Sequence, residues 1–172
     1  MKTLFLVALF LTLPALVNAE TISLKELVVR NDIYYKKFSD VPFTGTVNGQ
    51  TQGTIKRGKR QGTWLWFDKN GQLSLKATFK DGRLHGLFES YFDSGQLEQK
   101  GNYKDEKGHG FWELYYESGQ LFQKANNKDG KQDGLTETYR VNGQLWEKAN
   151  YKDGKLISRT CFSYSGEQKS CD

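Results

Sequence analysis

The chain has 172 residues, a formal net charge of +5, 26% charged residues and 14% aromatic residues. Lysine and glutamate are interleaved along the sequence, so the composition argues against the concentrated basic face of a nucleic-acid-binding protein. Glycine and aromatic residues are abundant while only two prolines occur, which favours strands and tight turns over long helices.

The first 19 residues have the features of a secretory signal peptide. Lys2 supplies a positive start, residues 4–17 form an apolar run, and Val17 and Ala19 are small side chains at the positions that signal peptidase reads. The run is too short and wrongly flanked for a retained membrane anchor, which is the alternative. No cysteine follows the predicted cut, which argues against a lipoprotein. We therefore expect an exported protein, periplasmic or secreted, whose mature chain starts at Glu20.

A period of 24 residues runs through the middle of the chain. Glycines recur at this spacing in two series, and each glycine of the first series is followed by Gln-Leu. Lysine, Lys-Asp and an aromatic residue also recur once per period. A fixed period of this length is typical of repeat architectures. The first series is Gly71, Gly95, Gly119 and Gly143, and the second is Gly62, Gly86, Gly110 and Gly134.

Each repeat is predicted to form one β-hairpin, and successive hairpins are expected to extend a single antiparallel sheet. The Asn-Gly or Ser-Gly step predicts a two-residue turn, because such turns need a positive φ. The Lys-Asp-Gly-x-x-x-Gly segment predicts a second, longer turn. With a turn at residues 94–95, Phe92 lies opposite Leu97. The same register places opposite charges across from each other in three repeats: Glu89 and Lys100, Glu113 and Lys124, and Glu137 and Lys148.

The two faces of this predicted sheet differ in chemistry. The face opposite the aromatic one carries the Glu–Lys pairs and rows of lysines, which suit anionic lipid or an acidic protein. The other face carries large aromatic side chains above small residues such as Ala77 and Gly101. Exposed apolar surface of this kind marks a partner site or a dimer interface, unless curvature and the N-terminal segment cover it. The candidate partner contacts are Trp64, Trp66, Phe88, Phe92, Trp112 and Tyr116.

The limits of the repeats suggest one domain with two terminal caps. Residues 20–61 are predicted to form an N-terminal cap with a degenerate repeat, and residues 62–157 form four hairpin repeats. Residues 158–172 are expected to form a C-terminal cap. Cys161 and Cys171 lie in it on either side of a Ser-Gly turn, which predicts a disulfide in an exported protein. A free thiol pair in a reducing compartment is the alternative.

The ordered set of a Pro-Phe-Thr-Gly segment, Asp-Gly-Lys turns and Asn-Gly-Gln-Leu turns resembles the MORN-repeat variant family of bacteria. The resemblance covers residues 40–155. It implies stacked β-hairpins in an elongated, curved all-β sheet, in agreement with the fold predicted from the period. Proteins of this kind are often labelled antitoxins of toxin–antitoxin pairs. The predicted export signal departs from an intracellular antitoxin.

Residues able to support catalysis or metal binding are few. His85 and His109 occupy the same position in adjacent repeats, but neighbouring hairpins lie about 9–10 Å apart, too far to share one ion. The sequence has no Gly-x-Ser-x-Gly motif, and each repeated glutamate has a lysine opposite it, as in a structural ion pair. We therefore predict no catalytic residue, no metal and no cofactor.

These observations favour a non-catalytic, exported repeat protein that acts as a protein–protein interaction module, with an unidentified partner protein or a second copy of itself. A glycan or envelope-surface binder, which would stack sugars on the aromatic face, is one alternative. An antitoxin or immunity protein against a periplasm-acting toxin is another. Nucleic acid is not expected as a partner, and peripheral membrane contact rests on the lysine rows alone.

Overall fold

A computed structural model describes residues 20–171, so the predicted signal peptide at residues 1–19 lies outside the described part of the chain. Within that part there are fifteen strands and one 3₁₀ turn, Leu24–Glu26. The strands are β1 (Glu20–Ser23), β2 (Leu27–Arg30), β3 (Ile33–Lys36), β4 (Gly45–Asn48), β5 (Thr51–Lys56), β6 (Lys59–Phe67), β7 (Leu73–Lys80), β8 (Arg83–Tyr91), β9 (Leu97–Lys104), β10 (Lys107–Tyr115), β11 (Leu121–Lys128), β12 (Lys131–Tyr139), β13 (Leu145–Lys152), β14 (Lys155–Phe162) and β15 (Gln168–Lys169).

Thirteen of these strands form one sheet in which sequence neighbours are also spatial neighbours. Strand β1 pairs in parallel with β4, and from β4 to β15 every strand is antiparallel to the next. Strands β2 and β3 form a separate hairpin. The predicted all-β sheet of stacked hairpins is therefore confirmed. None of the helical turns in residues 20–171 is long and apolar enough to cross a membrane.

The two kinds of turn are the reverse of those predicted from the sequence. Asp81 and Gly82 alone connect β7 to β8, and their φ angles are both positive, 51° and 87°. This Asp-Gly step is the two-residue turn, because the turns that match strand twist need positive φ at both positions. At the other edge, the Gly71 N–H donates to the Asp68 carbonyl and the Asp68 N–H donates to the Gln72 carbonyl. Asn-Gly therefore closes a longer loop with glycine as its last residue.

The longer loop changes the register beside it. Tyr91, and not Phe92, is the Cα partner of Leu97, because the pairing shifts by one residue after Ser90. The prediction that Phe92 faces Leu97 is therefore wrong, and Phe92 lies in the loop beyond the end of β8. Farther from the loop the predicted register is correct in all three repeats, with Glu89 opposite Lys100, Glu113 opposite Lys124 and Glu137 opposite Lys148.

The second glycine series lies inside strands and not at turns. In β8, residues 85–87 face the single residue Thr78 of β7, so the strand carries a bulge at this point. Gly86 takes a φ of 110° there, a value that other residues rarely adopt. The fixed glycine thus serves a mid-strand bulge, and its counterparts Gly62, Gly110 and Gly134 also have positive φ.

The conserved spacing of glutamine has a structural role at the loop edge. The Gln72 side-chain amide donates to the carbonyl of Asp93 in the next loop at 2.9 Å, and Gln144 donates to Tyr164 at 3.1 Å. Each amide satisfies a loop carbonyl that no strand can reach. The glutamine of Gly-Gln-Leu therefore fastens one hairpin to the next.

The N-terminal segment covers the first part of the sheet. The β2–β3 hairpin is attached by the Tyr34 N–H, which donates to the Gly58 carbonyl at 2.9 Å. The buried core beneath it ends at Phe79, with Phe88 packed against its margin. Strands β9 to β14 therefore form a single layer within the described residues. The core consists of Ile22, Leu27, Phe43, Val47, Ile55, Trp64, Ala77 and Phe79.

The C-terminal end of the sheet is closed by the predicted disulfide. Cys161 in β14 is bonded to Cys171, with the two Cα atoms 5.3 Å apart. The bond holds the two-residue strand β15 against β14, which it pairs at only two positions.

Candidate functional site

We call the side of the large sheet that carries Trp64, Phe88 and Trp112 the aromatic face. These three residues recur at the 24-residue period and have Ala77, Gly101 and Ala125 as Cα partners on the following strands. The sequence therefore correctly placed bulky rings beside small residues. The ring of Trp112 contacts Phe88 at a centroid distance of 5.8 Å.

The two tryptophans predicted as partner contacts at the centre of this face are buried. Trp64 is 0% exposed and Trp112 is 8% exposed. Trp64 lies in the core that the N-terminal segment covers, and its indole N–H donates to the Thr54 carbonyl at 3.2 Å. Both side chains therefore stabilise the fold in this conformation. The half-buried candidates that can still reach a partner are Trp66, Phe88, Phe92 and Tyr116.

Phe92 and Tyr116 occupy the first position of successive loops, 24 residues apart, and not the strand face. The Tyr116 hydroxyl donates to the Tyr139 carbonyl at 2.8 Å, and its ring contacts Phe122 at a centroid distance of 5.1 Å. These two residues therefore extend the apolar surface toward the loop edge.

The part of the aromatic face beyond the N-terminal cover contains a second aromatic cluster. Phe88, Tyr103 and Trp112 contact one another with centroid distances of 5.2 to 5.8 Å. Tyr103 was not among the sequence candidates. Its signal was the period itself, since Phe79, Tyr103 and Tyr151 recur at 24-residue steps or multiples of them. No second layer covers this cluster in the described residues.

A cation lies among the rings at the border between the covered and uncovered parts. The Arg60 guanidinium sits 4.8 Å from the Trp64 ring centroid and 5.2 Å from that of Phe79. It also donates to the Tyr34 hydroxyl at 2.7 Å, which links the β2–β3 hairpin to the aromatic face. Sequence reasoning missed Arg60 because its partners come from four different strands. Contacts of this kind stabilise by about 0.5–2 kcal/mol.

The opposite face carries an alternating row of charges that we call the charged ladder. Each member is the Cα partner of the next across seven successive strands. Ion pairs at 3.1, 2.7 and 3.2 Å join Lys76 to Glu89, Lys100 to Glu113 and Lys148 to Glu137. Lys100 thus binds the glutamate on its other side from the one predicted. The ladder comprises Lys76, Glu89, Lys100, Glu113, Lys124, Glu137 and Lys148.

Hydrogen bonds at the centre of the ladder set its protonation. The bond from Lys100 lowers the pKa of Glu113, and a bond of 2.7 Å from the Tyr115 hydroxyl acts in the same direction. The pKa of Lys100 is raised by the same glutamate. Burial, followed by the bond to Glu113, raises the pKa of Tyr115. Glu113 and Lys100 are therefore charged at neutral pH, as expected of a structural network.

The two histidines do not form a common site. The His85 Nδ1 lies 3.2 Å from an Asp105 carboxylate oxygen in the next turn, while no partner is found for the buried Nδ1 of His109. At the equivalent position Gln61 donates to Asp81 at 2.7 Å, so this column ties one turn to the next. Residues 20–171 contain no group of three or more potential metal ligands.

Comparison with known families places the repeats. The MORN repeat variant matches the chain four times, at residues 60–81, 84–105, 109–129 and 132–153, which together span about half of its length. Each match covers two strands and the longer loop between them, starting after one two-residue turn and ending at or near the next. A comparison with curated proteins gives no match.

Proposed function

Since the chain belongs to the MORN repeat variant family, we propose that it is a non-catalytic interaction protein that binds a partner protein through the uncovered part of its aromatic face. The observation that carries this proposal is the single-layer construction of β9 to β14. The N-terminal core ends at Phe79, while aromatic residues continue along the face to Trp112 and Tyr116. Apolar surface left without a covering layer is typical of interaction sites.

The surface also has the mixed chemistry of a transient interface. Along the strands next to the aromatic cluster, Ser90, Gln99, Leu114 and Gln123 follow one another as Cα partners. Amide and hydroxyl groups around aromatic anchors supply the hydrogen bonds of a polar rim. The same combination of rings and amides suits a glycan, which is the second candidate ligand.

Export to the periplasm or beyond is part of this proposal, and it rests on the N-terminal sequence. The disulfide between Cys161 and Cys171 supports it, because such bonds persist in oxidising compartments. A role as an antitoxin or immunity protein stays a hypothesis that the presence of a toxin among the bound proteins would support.

The test is a crosslinking pull-down from an envelope fraction, with the purified protein as bait. The variant Phe88→Ala/Tyr116→Ala removes two half-buried rings, while Trp64 and Trp112 are kept because their loss would create cavities in the fold. Phe111→Ala is the matched control, since Phe111 is 63% exposed and immediately precedes Trp112, so it projects from the opposite face.

We expect the double variant to lose at least about tenfold of the captured protein, which corresponds to about 1.4 kcal/mol. The control should capture as much as the unchanged protein. Equal capture by all three proteins would contradict binding through the aromatic face. Capture of the protein by itself alone would point to a homodimer, and a titration with soluble glycans separates the second candidate.

A further inference from the structure

Every two-residue turn between strands β5 and β14 is flanked by two basic residues that are Cα partners of each other. We call this row of five turns, residues 56–59, 80–83, 104–107, 128–131 and 152–155, the basic edge. It contains eleven basic and five acidic residues, a net charge of +6, while the whole chain carries +5. The flanking pairs are Lys56 and Lys59, Lys80 and Arg83, Lys104 and Lys107, Lys128 and Lys131, and Lys152 and Lys155.

The positive charge of the basic edge is largely uncompensated. All eleven basic residues are exposed. Among the described residues only Arg83 and Lys152 have a carboxylate within 4.0 Å, at 4.0 Å from Glu106 and 2.9 Å from Asp133. The ladder lysines, in contrast, each lie within 4.0 Å of a glutamate. Charges that are interleaved in the sequence therefore separate in space, which corrects the expectation that no concentrated basic surface exists.

The turns of the basic edge are held in a fixed row. The N–H of Gly82 donates to the Arg60 carbonyl of the preceding hairpin at 2.9 Å, and the N–H of Gly154 donates to Gln132 at 2.9 Å. Equivalent bonds hold the two turns between them. Because neighbouring hairpins are two strands apart, about 9.6 Å, the five turns span about 38 Å.

The shape of the row selects its ligand. It is one residue pair wide, about 5.5 Å between paired Cα atoms, and many times longer than it is wide. A flexible chain can contact all five pairs, whereas a flat membrane or a double helix presents a broad surface. The five turns contain no aromatic residue on which bases could stack. Lysine is a compact point charge that suits phosphate oxygens.

We propose that the basic edge binds a linear polyanion, a flexible polymer that carries a row of phosphate groups. This site is distinct from the aromatic face and does not depend on the protein partner proposed above. Binding releases counterions from the polymer, so its affinity falls as salt rises, with a slope that reports the number of contacts.

The experiment measures binding of long-chain inorganic polyphosphate to the purified protein over a range of salt concentrations. The edge variant changes Lys104, Lys107, Lys128 and Lys131 to Gln. The control variant changes Lys25, Lys37, Lys69 and Lys169 to Gln, which lowers the net charge by the same amount at four exposed lysines away from the edge that form no ion pair in the described residues. A second edge variant changes the same four edge lysines to Arg.

We expect the edge Gln variant to lose at least about tenfold in affinity at about 0.1 M salt, and its slope to fall by up to about 3, since each phosphate contact contributes about 0.7. The control and the Arg variant should bind like the unchanged protein. Tripolyphosphate should bind far more weakly than the long chain, because it spans few pairs.

Equal losses in the edge Gln variant and the control would overturn the proposal, since net charge alone would then explain binding. Equal affinity for tripolyphosphate and the long chain would overturn it too. Displacement of the long chain by vesicles containing phosphatidylserine, at equal phosphate concentration, would replace it with a membrane surface. Thermal unfolding of each variant confirms that it is folded before binding is compared.

Discussion

At the scale of single residues, the aromatic face is organised by the volume of side chains on neighbouring strands. A Cβ atom on Gly53 would lie 2.3 Å from the ring of Trp64, and one on Gly101 would lie 2.2 Å from that of Trp112. Neither glycine has a left-handed backbone, so both are needed for space and not for conformation. Phe88, a smaller ring, instead has Ala77 as its partner.

Gly101→Ala should destabilise the protein by about 1–3 kcal/mol, because the added methyl group forces Trp112 out of its position. The double variant Gly101→Ala/Trp112→Phe should recover part of this loss, since a smaller ring makes room for the methyl group. Trp112 is suited to this exchange because its indole N–H has no hydrogen-bond partner to lose. Urea unfolding of the two single variants and the double variant gives the coupling free energy, and strict additivity would contradict the steric explanation.

At the scale of strands, the charged ladder joins successive hairpins through their central residues. Glu113 lies 2.7 Å from Lys100 and 4.0 Å from Lys124, on the strands to either side of its own. The Tyr115 hydroxyl completes its contacts on the same strand. Pairs of this kind, partly open to water, contribute at most about 1 kcal/mol each, but their register excludes a one-residue slip.

The contribution of Glu113 should depend on pH in a defined direction. Its pKa is lowered in the folded protein, so the stabilisation is present above the ordinary value of 4.5 and is lost as pH falls through the folded pKa. Glu113→Gln should therefore be less stable than the unchanged protein by about 0.5–1 kcal/mol at pH 7. This difference should disappear below the folded pKa. Thermal unfolding of both proteins from neutral to strongly acidic pH measures it, and a difference independent of pH would refute the ionic origin.

At the scale of the whole molecule, the sheet is layered at one end and single-layered at the other. Its last repeat is also shorter, since Gly166 follows Gly143 by 23 residues instead of 24. Strand β14 lacks the bulge glycine of its counterparts, and β15 pairs only with its last two residues. The end of the sheet thus depends on the disulfide and not on a long strand.

Reduction of the disulfide should therefore act locally. The chain-entropy model assigns about 2–3 kcal/mol to closing a loop of this length, and that free energy opposes detachment of β15 from β14. Hydrogen exchange with and without reductant should show lost protection in residues 160–169, while protection of β6 to β12 is unchanged. Loss of protection throughout the sheet would show instead that the disulfide limits global unfolding. A Cys171→Ala variant without reductant should reproduce the local effect.

The sequence by itself determined the hairpin repeat, its period of 24 residues, the register of the Glu–Lys pairs and the disulfide. These follow from local rules, since glycine positions, strand alternation and cysteine spacing constrain the chain within one or two hairpins. The tertiary structure decided which glycines form turns and which form bulges, because both need the same positive φ. It also decided that Trp64 is buried, because the covering residues come from the separate N-terminal segment. Finally, it gathered lysines that are 24 residues apart into one continuous edge, because a repeat of two antiparallel strands returns every second turn to the same side of the sheet.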